Sequence, residues 1–232
     1  MFLGRRSLQA EYFDSARPLN ELAQFFQCLT RLNRLFAFAE PFQRLLPRLM
    51  GNAHSAALSL LDVGAGDGTL GKALTAWAAT RGWKWNITNL DCNLEALTLN
   101  RDARCIAGSG LALPFVSGSF DMVIASQMLH HLTDAQALMV LRESWRVARL
   151  GILVCDLHRN SILYSLLWVL FRFQQYPRSF RGDALLSVKR SWRVSELRKL
   201  LDRTELRQAE VRLYFGARIV LQARKPPSVA AN

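Results

Sequence analysis

Apolar residues along this chain change their period twice. Over the first fifty residues they recur every three or four positions. Leu22, Phe25, Phe26, Leu29, Leu32 and Phe36 share one stripe, which predicts an amphipathic helix that Pro41 ends. From residue 58 onward, short apolar runs alternate with helical patterns. Strands are predicted at Leu58–Val63, Trp83–Leu90, Ala103–Ala107, Phe120–Ala125 and Gly151–Cys155. Helices are predicted at Thr69–Thr80, Leu94–Arg101 and Asp134–Ala148, the last opened by Thr133 and Asp134. Strands and helices alternating through short connections imply an α/β fold with a doubly wound, mostly parallel sheet.

The second change follows Asp156. Residues 160–176 read as an apolar helix rich in Leu, Trp, Phe and Tyr, and 177–192 as a basic loop holding Pro177 and Gly182. A helix at Ser195–Leu201 comes next. Two β-like runs, Glu210–Phe215 and Arg218–Ala223, meet around Gly216 and Ala217. They form a hairpin, so the last strand is expected to run antiparallel. The expected organisation is an N-terminal helical cap at 1–52 and a main domain at 53–225. Within that domain a lid at 157–192 covers an acceptor, and a disordered tail occupies 226–232.

The most specific chemistry lies at 58–69. An apolar run reaches Asp62, glycines stand at 64, 66 and 68, and Thr69 opens a helix. That is a strand, a glycine turn and a helix N-terminus, whose N–H groups suit a carboxylate. Asp91 ends the next strand 27 residues after Gly64, where a carboxylate can accept from both hydroxyls of a ribose. The third strand ends at Gly108-Ser109-Gly110-Leu111, a place for an adenine. A nicotinamide-binding unit shares the turn and the carboxylate. Asp62, however, would repel a pyrophosphate, whereas it suits a cationic ligand. The GxGxG spacing also differs from the dinucleotide GxGxxG. Both points favour S-adenosylmethionine.

Four segments in order carry a family resemblance: Asp-Val-Gly-Ala-Gly-Asp-Gly at 62–68, Asn-Leu-Asp at 89–91, Leu-Pro-Phe through Gly-Ser-Phe-Asp-Met-Val at 113–123, and Gln-Met-Leu-His-His-Leu at 127–132. Over residues 55–225 the chain resembles class I S-adenosylmethionine-dependent methyltransferases, in particular the small-molecule group that includes ubiquinone and menaquinone methyltransferases. The resemblance implies a Rossmann-like sheet of seven strands with the last antiparallel. It implies that Asp62, Gly64, Gly66, Asp67 and Gly68 border the methionyl part, and that Asp91 holds the ribose with Cys92 beside the adenine. Ser126 and Gln127 would lie under the sulfonium. Ser109 departs from the family pattern, which usually has Asp there; with Gly110 and Leu111 it completes the adenine site.

Methyl transfer asks the protein to place an acceptor and, for oxygen, to remove a proton. His131 and His158 are the candidate bases. His131 is also open to a structural or pocket-wall role, and His158 stands two residues after Asp156, an acidic neighbour expected to raise its basicity. His130, Tyr164, Leu167, Trp168, Phe171, Phe173 and Tyr176 are the candidate acceptor pocket, although so apolar a helix also suits packing on the N-terminal helix. His54 reads as a surface residue. The expected reaction is methylation of a small lipophilic or aromatic acceptor at a hydroxyl oxygen. C-methylation of a quinone precursor, RNA methylation and cofactor binding without turnover stay open as alternatives. No Asn-Pro-Pro-Tyr or Asp-Pro-Pro-Tyr follows the fourth strand, which argues against base N-methylation and makes nucleic acid the less expected partner.

Composition adds bounds. Half of the 232 residues are hydrophobic, enough for one α/β domain with a cap. Arg5 and Arg6 are followed by no apolar stretch of the kind a signal peptide needs, and the run Ser161–Phe171 covers only ~16 Å as a helix. Cys28, Cys92, Cys105 and Cys155 are scattered, so no metal or redox centre is expected and a reduced, cytoplasmic setting is. The charge of +12 is uneven. Residues 159–225 hold 15 Lys/Arg against 5 Asp/Glu. That excess fits a solvated arginine-rich surface, or an acidic partner such as a carrier protein or an anionic membrane surface.

Overall fold

The computed structural model describes residues 3–51, 57–100, 104–202 and 204–226. Helices α1 (Leu19–Leu35) and α2 (Glu40–Met50) precede β1 (Ala57–Val63), α3 (Thr69–Ala79), β2 (Lys84–Asp91), α4 (Leu94–Thr98), β3 (Arg104–Ala107) and β4 (Phe120–Ser126). Then come α5 (Asp134–Val147), β5 (Ala148–Leu157), α6 (Ser161–Phe173), α7 (Arg178–Arg190), α8 (Val194–Leu201), β6 (Glu210–Tyr214) and β7 (Arg218–Arg224). The seven strands form one sheet in the order β3-β2-β1-β4-β5-β7-β6. Pairings from β3 through β5 are parallel, and β7 is antiparallel to both β5 and β6. The doubly wound, Rossmann-like sheet with an antiparallel last strand is thus the observed fold.

The twofold alternation of a strand sorts the core into two layers. Leu61, Val63, Val123 and Ile152 pack with Val140 and Leu141 of α5 and Leu197 of α8. Leu58, Leu60, Met122 and Leu153 face the other way, against Phe42 and Leu46 of α2 and Leu74 of α3. A third cluster joins α1, α6 and α7 through Leu32, Leu163, Leu167, Phe171 and Phe180. The chain runs from β1 outward to β3 and returns to β4 on β1's other side. That reversal opens a crevice at the carboxyl ends of β1 and β4, where ligands bind in such sheets.

Two expectations are corrected. The segment 177–192 is not a loop but holds the thirteen-residue helix α7. Pro177 is its N-cap, where a missing N–H costs nothing, and Phe180, Asp183, Ser187 and Val188 form its buried stripe. Nor does Pro41 end α1. The chain turns at Phe36–Ala39, with Ala37 in the left-handed region at φ 47°, and Pro41 sits in the first turn of α2. The expectations for His54, for the helix end at Arg101 and for the tail beyond Pro226 fall outside the described residues.

Candidate active site

The glycine turn is forced by both backbone and space. Gly64, Gly66 and Gly68 have φ of 72°, 55° and 69°, a region where side chains are strained. A Cβ on Gly64 would stand 2.4 Å from Cγ of Met128, and one on Gly66 would stand 2.7 Å from Cε1 of Phe26. Helix α1 therefore lies over the turn. The loop is also laced to the end of β2. The N–H groups of Gly64 and Ala65 donate to the carbonyl of Leu90 (2.8 and 3.1 Å), and that of Gly66 to Oδ2 of Asp91 (2.7 Å). Asp67 accepts from the Thr69 amide and hydroxyl at the start of α3 (3.1 and 2.8 Å). Several donors that the sequence assigns to a ligand are thus already engaged inside the turn.

Around the turn lies a cleft of about 500 Å³. Asp62, Gly64, Gly66, Asp67, Asp91, Cys92, Ser109, Gly110, Leu111, Ser126 and Gln127 all line it, as do His130 and His131. Gly68 stands behind it, against Asn100. Asp91 also accepts from the Asn93 amide (2.8 Å), and Ser109 Oγ from the Leu111 amide (3.2 Å). Gln127, at φ 51°, donates from Nε2 to Oδ1 of Asn33 on α1 (2.9 Å). Asp62 is the informative group. It is fully buried, neither of its oxygens has a hydrogen-bond partner among the described residues, and burial together with the charge of Asp91 pushes it up to about 8. An unpartnered carboxyl in a cleft wall lacks a cation or donor, so the residues fit the ammonium of the methionyl group.

Beside the cleft three distant segments meet. His130 is buried; its amide donates to Oδ2 of Asp156 (2.9 Å) and its Nδ1 lies 2.7 Å from Oδ1. Burial opposes the Asp156 charge, but His130 and the amides of Leu157 and His130 hold this carboxyl below its ordinary value. His131, partly exposed, has Nδ1 2.7 Å from Oδ1 of Asp14. Arg190 donates to Asp14 and to the carbonyls of His130 and His131, and stands 3.7 Å from Oε1 of Glu11. Burial raises the proton affinity of Asp14, yet His131 and Arg190 keep it well below the usual carboxylate range. Glu11 is pushed up to about 7 by burial, against His131, the Ser187 hydroxyl and Arg190. Ligand atoms of Glu11, His130 and His131 lie within 4.8 Å of one another. Arg190 is the resident cation of that group.

His158 stands elsewhere. Its Nδ1 lies 3.1 Å from Nδ2 of Asn160, it lines neither cavity, and burial lowers its affinity for a proton. Asp156, its expected acidic neighbour, is engaged by His130.

A second cavity, of about 380 Å³, opens beyond Gln127. Leu29 and Leu32 of α1, Phe36 just after it, Leu163 and Leu167 of α6, Phe180 of α7, and Tyr214 and Phe215 of the β6–β7 hairpin give it an apolar wall. Glu11, Phe25, Leu29, Asn33, Gln127 and Ser187 border both cavities. Of the pocket residues expected on α6, Leu167 lines this cavity, whereas Tyr164, Trp168, Phe171 and Phe173 do not. Trp168 is exposed, Phe171 packs in the core on Tyr176 and Phe180, and Tyr164 is half-buried beside Lys189. Leu163 joins Leu167 on the cavity wall.

Residues 61–155 match the family model described as a methyltransferase domain. The matched segment runs from β1 into β5 and carries the glycine turn, so this part of the chain is similar to methyltransferase domains in sequence and in strand order. A demethylmenaquinone methyltransferase of Roseiflexus sp. (strain RS-1) is 34% identical over 119 residues, 48% of this chain and 49% of that protein. The chain thus spans about half the length of that curated relative. An uncharacterised methyltransferase of Synechocystis is 29% identical over 213 residues, 88% of this chain and 92% of its own. Among solved structures, a SAM-dependent methyltransferase from Aquifex aeolicus superposes with a TM-score of 0.59 at 15% identity. It covers 90% of this chain and 99% of its own, a likeness of fold.

Proposed function

We propose that the protein transfers a methyl group from S-adenosylmethionine to a hydroxyl oxygen of a small lipophilic or aromatic acceptor. The observation that carries this reading is the shared wall: an apolar cavity meets the glycine cleft at Gln127, Asn33 and Glu11. S-adenosylmethionine, when bound, supplies a methyl carbon activated by a positive sulfur. The protein's own part is placement and proton removal. Asp62 takes the ammonium end, Asp91 the ribose, and Cys92, Ser109, Gly110 and Leu111 the adenine. Phe26 and α1 cover the turn and exclude water. His131 is the base: Asp14 holds its Nδ1, which leaves Nε2 to accept a hydroxyl proton. His130 is tied into the structure by Asp156, and His158 takes no part.

C-methylation of a quinone-like ring is the second reading, favoured by what the Roseiflexus relative is named for. It needs no retained base. The excess of cations in 159–225 favours an acidic partner under either reading. The experiment is a methyl-transfer screen with S-adenosylmethionine against long-chain phenols, quinone precursors and carrier-bound phenols, read by product mass and fragmentation. A methyl ether on a lipophilic phenol is expected. A ring methyl selects the second reading, and S-adenosylhomocysteine binding with no product on any acceptor overturns both.

A further inference from the structure

Helix α6 is apolar on both sides, and the protein accounts for only one of them. Its inner face is buried through Leu163, Leu167 and Phe171. Its outer face presents Ile162 (79% exposed), Leu166 (50%), Val169 (44%) and Phe173 (84%), spaced as a single stripe, with Trp168 (52%) beside it. From Leu157 to Gly182 the sequence has no acidic residue. A surface helix ordinarily turns charge toward water; one that is hydrophobic all round has an apolar environment on each side. At thirteen residues, ~20 Å, α6 is too short to span a bilayer, and no helix among the described residues is long and apolar enough to cross a membrane.

The patch continues onto the β6–β7 hairpin. Asn160, the N-cap of α6, donates from Nδ2 to the Gly216 carbonyl (3.1 Å), and the His158 amide donates to the Ala217 carbonyl (2.9 Å). This fixes Phe215, 77% exposed at the hairpin tip, beside the start of the helix. Cations flank both ends. Arg44 lies 6.0 Å from the Phe215 ring, and Arg172 lies 5.8 Å from the Trp168 ring. Arg178 is exposed just beyond α6. An apolar stripe with an aromatic belt and cations at its edges is complementary to a bilayer surface, with acyl chains below and anionic headgroups around. Phe215 also lines the acceptor cavity, as do Leu163 and Leu167 on the inner side of the same helix.

We propose that the outer face of α6, with Phe215, docks on an anionic lipid bilayer, the helix lying in the interface and the acceptor cavity meeting the membrane at Phe215. Docking stands on the patch alone; delivery of a lipophilic acceptor from the bilayer rests on the methyl-transfer reading. The test is co-sedimentation of the full chain, without acceptor, on phosphatidylcholine vesicles with and without phosphatidylglycerol. The protein is expected to bind the phosphatidylglycerol vesicles and to bind phosphatidylcholine alone more weakly. Leu166→Ser combined with Phe173→Ser touches neither cavity. It is expected to lower the bound fraction on the order of tenfold while stabilisation by S-adenosylhomocysteine is unchanged. Phe173→Glu alone serves as a second variant should the pair fold poorly, with the same direction expected.

Equal binding of wild type and variants overturns the proposal, since simple charge attraction would then suffice. No binding to phosphatidylglycerol vesicles also overturns it. So does a wild-type dimer that the substitutions turn into a monomer with no change on vesicles, because a second copy would then be the occupant. Failure of the methylation screen leaves the vesicle result intact, so the two readings fall separately.

Discussion

The donor cleft and the acceptor cavity touch along Gln127, Asn33 and Glu11, yet they are built from different parts of the chain. Against side chains of α1 such as Phe25 and Phe26, the cleft sets backbone held in left-handed turns, carboxylates at strand ends and loop residues, most of them between Asp62 and Gln127. The cavity is made of aliphatic and aromatic side chains drawn from α1, α6, α7 and the β6–β7 hairpin. A polar, invariant ligand is bound by fixed donors and charges, which tolerate little change. A lipophilic ligand is bound by area, which many side chains can supply. Substitutions should therefore act on the two sides in different ways.

The largest effect belongs to the turn. Gly64→Val puts a branched side chain at φ 72° with its Cβ 2.4 Å from Met128. The strain and overlap are expected to weaken S-adenosylhomocysteine binding by about 100-fold or more, measured by calorimetry. Survival of wild-type affinity would mean that the ligand does not use the turn.

In the cleft beside Glu11, His131→Asn is expected to lower kcat on a phenolic acceptor by about 100-fold with little change in KM, the size usual for a general base. His158 lines neither cavity, and His158→Ala is expected to stay within about twofold. If the product screen shows a ring methyl instead, His131→Asn should cost far less. The variant therefore sharpens oxygen against carbon chemistry.

A smaller effect concerns pH. Asp62 titrates at about 8 in the folded protein against an ordinary 3.8, and Glu11 at about 7 against 4.5. Both bind a proton more tightly folded than unfolded. Stability from them is therefore complete below their ordinary values and is lost as pH rises through the folded ones. Without ligand, Tm is expected to fall by roughly 2–8 °C between about pH 5 and 9. Asp62→Asn should flatten most of that slope, and S-adenosylhomocysteine should do the same by giving the ionised carboxyl a cation. An unchanged slope in Asp62→Asn would place the proton elsewhere.

The same contrast explains what could be read from the chain beforehand. The run from Leu58 to Asp62, the three glycines and Asp91 each announce themselves within a few residues, because strand, turn and strand end are local features. Helix α7 was hidden by Pro177 and Gly182, which read as breakers, although Pro177 is an N-cap and Gly182 is simply exposed. The orientation of α6 is hidden because a helix apolar on both faces has no polar side to orient it; Leu167 and Trp168, both expected in the lining, are indistinguishable by pattern, and only Leu167 faces the cavity. Glu11, Asp14, Asn33 and Arg190 carried no signal at all. They matter through contacts across more than ninety residues, such as Asn33 with Gln127 and Arg190 with Asp14, and only the folded chain makes those.

Division of labour between the two cavities is tested most directly by measuring two constants on two variants, S-adenosylhomocysteine Kd and KM for a long-chain phenol, in Asp62→Asn and Leu163→Asn. Asp62→Asn is expected to raise Kd by roughly 10- to 100-fold with KM nearly unchanged, because one buried charge contact is lost. Leu163→Asn is expected to raise KM by about tenfold with Kd within about twofold, because apolar area on the acceptor side is lost. If both constants move together in either variant, the cavities are one site and the account is contradicted.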